Sequence, residues 1–179
     1  LTDPMLVEKL DVNFNGIGHA LLRMGGTILG STSKGNPFSY PKEDGTIGDC
    51  SERAIEAYHK LNLDGLIAIG GDGGLKIMHD LAQQGDINLV GIPKTIDNDI
   101  SYTDAIGFST AVEVATSALD GLQPTAASHD RVMVLEVMGR DAGHIALHSG
   151  IAGGADIILI PEIPFELKHI AKKLQMVIQ

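Results

Sequence analysis

Three short segments of this chain carry residues able to do chemistry together. Gly91-Ile92-Pro93-Lys94-Thr95-Ile96-Asp97-Asn98-Asp99 puts a lysine, a hydroxyl and two carboxylates on one turn. Upstream, Ile69-Gly70-Gly71-Asp72-Gly73-Gly74 closes another apolar run. Downstream, Met138-Gly139-Arg140-Asp141-Ala142-Gly143 follows Val132-Met133-Val134-Leu135-Glu136-Val137. Each motif sits at the end of a run that reads as a strand, where α/β sheets bind ligands. Glycines allow close backbone approach to a phosphate and leave N–H groups free at a helix start. Asp72 suits Mg²⁺, which takes few carboxylates plus substrate phosphates. A hydroxyl nucleophile needs a positioned carboxylate to remove its proton. Arginine grips phosphate through two parallel hydrogen bonds. Taken alone, the glycine run reads as a tight turn with a capping Asp. Beside the other two motifs it reads as a phosphate loop, and the set points to phosphoryl transfer.

The elements that must position these motifs follow from periodicity. Residues 51–61 have helical spacing, with Asp49 or Ser51 as N-cap. Residues 64–69 read as a buried strand. A helix from about residue 74 to 84 follows, with Gly85 as its stop. Strands are expected at 87–92, 132–137 and 156–160, and helices at 104–122, 143–150 and 165–178. This alternation predicts an α/β fold: a doubly wound, mostly parallel sheet with helices on both faces. The continuous apolar runs predict strands buried on both sides. The polar insertion at 33–49 reads as a surface loop.

Composition sets the outer limits. The 179 residues suffice for about one domain with a core, and 44% are hydrophobic. Thirteen basic residues stand against 23 acidic ones, a net charge of −10, which argues against a nucleic-acid surface. The few cations that would meet an anionic ligand, Lys34, Lys94, Arg131 and Arg140, lie in or beside the motifs. No apolar run approaches the ~18 residues of a membrane span, and no export leader is evident. A lone Cys50 cannot form an internal disulfide and reads as a plain thiol. A cytoplasmic location is expected.

GGDGG, PKTIDND and MGRDAG, in this order and spacing, resemble the phosphofructokinase family. The likeness extends to Gly25-Gly26-Thr27-Ile28-Leu29-Gly30-Ser31 and to Pro161-Glu162-Ile163-Pro164-Phe165, covering residues 16–166. The resemblance implies a phosphofructokinase-like three-layer sandwich and transfer of a phosphoryl group to the 1-hydroxyl of fructose 6-phosphate. It implies that Asp97 is the base. Thr95 would hold the transferred group or the substrate hydroxyl, and Asp99 would orient the turn or assist the metal. Lys94 and Arg140 would neutralise charge. Gly71, Asp72, Gly73 and Gly74, with Lys34 and Gly35, would meet the nucleotide, and Asp72 would hold Mg²⁺. Thr95, Ile96, Asp97, Asp99, Met138, Gly139 and Arg140 would line the sugar-phosphate site. Arg131 either reaches the 6-phosphate across a subunit boundary or pairs with Asp130 or Asp104.

The donor follows from residue 73 in this family: glycine goes with ATP, aspartate with pyrophosphate. Gly73 implies ATP, while Lys94 is standard in pyrophosphate users, so the pair resembles ATP-using members of the pyrophosphate-like branch. Gly74 replaces a usual Ser or Thr, and Lys34 replaces an Arg. Members also carry an earlier strand with a GGDxPG-type loop and a C-terminal lobe. The expectation is therefore an N-terminal lobe over residues 1–179 that assembles as a dimer or tetramer. The alternatives are a pyrophosphate-dependent enzyme and a non-catalytic sugar-phosphate-binding fragment or subunit. His144 and His148, four apart, read as packing or surface, not as a metal pair. Asn98 reads as turn chemistry, and Glu162, at a strand end, could line an effector or substrate site but is assigned to neither.

Overall fold

A computed structural model describes residues 23–27, 35–42 and 44–177. The chain divides into two compact units, one of residues 1–66 with 77–89 and one of residues 67–76 with 90–179. Lys34 and most of the 25–31 segment lie outside the described residues.

In the first unit, β1 (Tyr40–Pro41) and β2 (Ile47–Gly48) form a small antiparallel hairpin inside the insertion expected to be loop. Asp44 shapes its turn by accepting from the Thr46 N–H at 2.9 Å and from the Thr46 hydroxyl at 2.6 Å. Helix α1 (Ser51–Lys60) follows. The N-cap is Cys50, which makes no side-chain cap bond, so neither Asp49 nor Ser51 holds the expected cap position; Asp49, one residue earlier, accepts the N–H of the first helical residue, Ser51, at 2.8 Å. That bond holds the Asp49 carboxyl below the usual carboxylate range. Tyr58 faces the core at 8% exposure, while the Lys60–Glu56 pair at 3.1 Å lies in solvent.

Helix α2 (Asp72–Gly85) starts two residues earlier than its periodicity predicts, because the glycine run becomes its first turn. Gly85 is its last residue, and the left-handed residue after it is Asp86 at φ 49. Gly85 is glycine for a packing reason: a Cβ there would lie 2.7 Å from the Ile55 side chain. His59 donates from Nε2 to the Gly85 carbonyl at 3.1 Å and satisfies a carbonyl the helix end leaves open.

The sheet consists of β3 (Leu66–Gly70), β4 (Leu89–Thr95) and β5 (Ile106–Gly107), in the order β3-β4-β5. β4 and β5 are parallel, with Lys94 opposite Ile106 and Thr95 opposite Gly107. β5 occupies residues read from the sequence as helix. The chain then turns at Gly107 (φ 114) into α3 (Phe108–His129). This helix continues through Pro124, seven residues past its expected end at 122. Proline removes one internal hydrogen bond, a local cost of ~3 kcal/mol. Packing against α4 (His144–Ala152) offsets it, with Gln123 donating to the Gly153 carbonyl across the pair. Helix α5 (Leu167–Val177) ends the described chain.

Two corrections to the predicted strands follow. Residues 132–137 and 156–160 carry no strand pairing among the described residues. An apolar run specifies a face, but a strand also needs a neighbour for its ladder. β3 is not buried on both sides: Ile67 and Ile69 are 69% and 64% exposed, alternating with sheltered Leu66, Ala68 and Gly70. No described helix is long and apolar enough to cross a membrane.

The lowered pKa of Asp49 gives a pH-dependent prediction. The carboxylate's contribution is present above its unfolded pKa and is lost as pH falls through the depressed folded value. Asp49→Ala is expected to lower the thermal midpoint at neutral pH and to make no difference below that depressed pKa. Melts across the acid range, followed by helix circular dichroism, check both halves.

Candidate active site

The three motifs meet in the second unit. Gly71 follows β3, and a Cβ on it would lie 3.7 Å from the Lys94 carbonyl oxygen and 3.9 Å from Thr95 Cβ. The glycine turn and the end of β4 therefore lie side by side. On the other side of β4, Gly107 comes equally close: a Cβ there would sit 3.3 Å from the Thr95 carbonyl oxygen.

Helix α2 opens at Asp72, and its first internal bond runs from the Leu75 N–H to the Gly71 carbonyl at 2.9 Å. The N–H groups of Asp72, Gly73 and Gly74 are thus those a helix leaves without an internal acceptor. All three residues are exposed, and the space beside Gly73 and Gly74 is open. Such a helix start binds phosphate through its N–H groups and its dipole.

The turn after β4 is organised by Thr95, which is 8% exposed. Its hydroxyl donates to Asp99 Oδ1 at 3.1 Å and accepts the Asp97 N–H at 3.1 Å. Asn98 takes φ 54, a conformation Asn tolerates better than most residues, which matches its reading as turn chemistry. Asp97 Oδ1 is buried and has no hydrogen-bond partner among the described residues. Buried polar atoms are nearly always paired, so an orphan calls for an explanation. Lys94 and Ile96 are exposed on either side of Thr95.

Asp97 shares a cleft of about 540 Å³ with Glu136, Val137, Met138, Gly139 and Arg140. Glu136 and Val137 are lining residues that the motif reading assigned to a strand. Their signal in the sequence was adjacency to MGR and nothing more. Gly139 (φ 141) and Arg140 (φ 51) form a tight turn closed by the Ala142 N–H on the Gly139 carbonyl at 2.9 Å. A Cβ at Gly139 would collide with the Ala142 carbonyl oxygen, so only glycine fits. Arg140 in the left-handed region costs about 1–2 kcal/mol, a strain typical of functional turns.

Arg131, Gly35, His144 and His148 are not among the residues that line this cleft. Arg131 is exposed beyond the end of α3, where its N–H closes the helix on the Ala126 carbonyl at 3.0 Å. Among the described residues its side chain pairs with neither Asp130 nor Asp104. Gly35 belongs to the first unit and Lys34 lies outside the described residues. His144 and His148 flank Phe108 edge-on, with ring centroids 6.3 and 5.3 Å away, in agreement with packing. No three His, Cys, Asp or Glu side chains cluster as a metal site among the described residues.

The family model for phosphofructokinase matches residues 6–179, nearly the whole chain. The chain belongs to the phosphofructokinase family. The match is wider than the 16–166 span carried by the motifs. The chain is 64% identical over 169 residues to ATP-dependent 6-phosphofructokinase 1 of Synechocystis sp., covering 94% of this chain and 46% of that protein. It is 66% identical over 168 residues to ATP-dependent 6-phosphofructokinase 1 of Nostoc sp., covering 93% of this chain and 46% of that protein. Among solved structures, the pyrophosphate-dependent phosphofructokinase of Marinobacter aquaeolei superposes with a TM-score of 0.62 at 30% identity, over 72% of this chain and 38% of that one. The chain spans about half the length of the curated relatives it matches.

The Gly139 turn yields a direct prediction. Gly139→Ala forces a Cβ into the Ala142 carbonyl and disfavours φ 141. A loss of roughly 1–3 kcal/mol is expected, read by denaturant unfolding. Ala142→Gly leaves that carbonyl in place and is not expected to rescue it.

Proposed function

We propose that this chain is the N-terminal lobe of an ATP-dependent 6-phosphofructokinase, transferring a phosphoryl group to the 1-hydroxyl of fructose 6-phosphate. The observation that carries the reading is the orphaned, buried Oδ1 of Asp97 beside a cleft shared with Arg140. Asp97 lines that cleft, and a carboxylate so placed can take the proton of a substrate hydroxyl. The names of the relatives, ATP-dependent 6-phosphofructokinases, support donor and acceptor. Gly73 supports ATP further, since its open surroundings leave room beside the helix start.

Each residue then has a task. The N–H groups at the start of α2 bind donor phosphate. Asp97 takes the proton as the hydroxyl attacks. Arg140 and Lys94 offset the charge that builds on the transferred group. Thr95, tied to Asp97 and Asp99, keeps the base at a fixed height above β4. Ile96, Met138 and Gly139 line the sugar side, and Arg131 serves a neighbouring subunit of a homo-oligomer. The exposed Asp72 carboxylate fits Mg²⁺, which takes one or two protein carboxylates together with phosphates. When bound, Mg²⁺ supplies charge neutralisation on the donor phosphates. A cytoplasmic location accords with a glycolytic reaction.

The test is formation of fructose 1,6-bisphosphate by the full-length gene product with Mg²⁺, comparing ATP with pyrophosphate. Turnover with ATP is expected. Turnover with pyrophosphate alone overturns the donor assignment, and none with either favours a sugar-phosphate-binding subunit. Asp97→Asn is expected to reduce kcat by about 10²–10⁴ with fructose 6-phosphate binding retained. A fall of less than about tenfold removes Asp97 as the base.

A further inference from the structure

Glu162 lies outside the three motifs, yet it holds one of them. Its Oε1 accepts the Gly143 N–H at 2.7 Å, from 19 residues downstream. Gly143 ends the MGRDAG segment and precedes α4, which has no side-chain cap of its own. In a capping box a glutamate inside the helix accepts the N-cap N–H. Here a residue from a separate segment does so. On its other side Gly143 accepts the Leu147 N–H at 2.9 Å, so both its polar groups are engaged. The fit admits only glycine: a Cβ at 143 would lie 2.6 Å from Glu162 Oε2 and would strike Ile160 Cβ.

The consequence falls on Arg140. Its turn is closed at one end by the Ala142 N–H on the Gly139 carbonyl. The other end is held by Glu162. Arg140 is three residues from Gly143, at most ~10 Å of chain, so slack at Gly143 reaches it directly. The Asp97 turn is braced separately, through Thr95. The Gly143 N–H, with a smaller contribution from His144, also keeps the Glu162 carboxyl below the usual carboxylate range, so it is ionised at neutral pH.

We infer that Glu162 is a positioning residue for Arg140, fixing the end of the turn that presents the guanidinium to the cleft. This rests on the proposed reaction, in which Arg140 faces the sugar phosphate. Loosening the turn should weaken fructose 6-phosphate binding more than it slows proton removal by Asp97.

The experiment compares Glu162→Ala and Glu162→Gln in the full-length gene product. Glu162→Ala is expected to raise KM for fructose 6-phosphate about tenfold, with a smaller fall in kcat and KM for ATP within about twofold. Glu162→Gln keeps an oxygen acceptor for the Gly143 N–H and is expected to recover KM to within about threefold. A merely structural role would lower the melting temperature and the yield of active enzyme, leaving KM for fructose 6-phosphate unmoved. Unchanged KM in Glu162→Ala, or a glutamine variant as impaired as the alanine one, overturns the inference. Lack of turnover in the wild type sinks the proposed reaction instead. Amide hydrogen exchange then decides the placement: Glu162→Ala should speed exchange at residues 139–143 and spare 95–99, and equal exchange overturns it.

Discussion

The buried hydroxyl of Thr95 is the contact on which the site depends. It bonds both carboxyl-bearing residues of its turn, donating to Asp99 and accepting from the Asp97 backbone. Its backbone closes the register with Gly107 of β5, and its Cβ faces Gly71 at the end of β3. A threonine suits all of this. Its β-branched shape belongs on a strand, and its hydroxyl both gives and takes a hydrogen bond.

Around that point the strand ends are drawn together by glycine. Gly71 and Gly107 flank β4, and a side chain at Gly107 would press on the Thr95 carbonyl at contact distance. At Gly139 and Gly143 the requirement is sharper, because a Cβ would meet backbone or side-chain atoms inside van der Waals range. Gly71 lies against the end of β4, and the Asp97 turn shares a cleft with the Gly139–Arg140 turn. The helix start at Asp72 then faces outward with unused N–H groups, and the cleft beside Asp97 keeps one carboxylate oxygen unpaired.

The helices were legible because their signal is local. The amphipathic period of 51–60 and of 167–177 needs no partner to be seen. The errors fell where the outcome depends on a neighbour. The helix expected to end at 122 runs on through Pro124 to His129 and packs against α4. Residues 106 and 107 read as helix, and pairing with Lys94 and Thr95 made them strand. Residues 132–137 read as strand, and no ladder forms on them among the described residues.

The sequence by itself determined the family, the α/β order and the identity of the chemical groups. Residue types and their spacing within a motif are local facts, and PKTIDND or MGR states them in full. Tertiary structure alone decided which of those groups are engaged and which are free. Thr95 turned inward to brace the turn, Asp97 kept an oxygen unpaired, and Glu162 reached back to hold Gly143. Hydrogen bonds across 19 residues depend on where the chain returns in space, and that is set by packing, not by spacing along the chain.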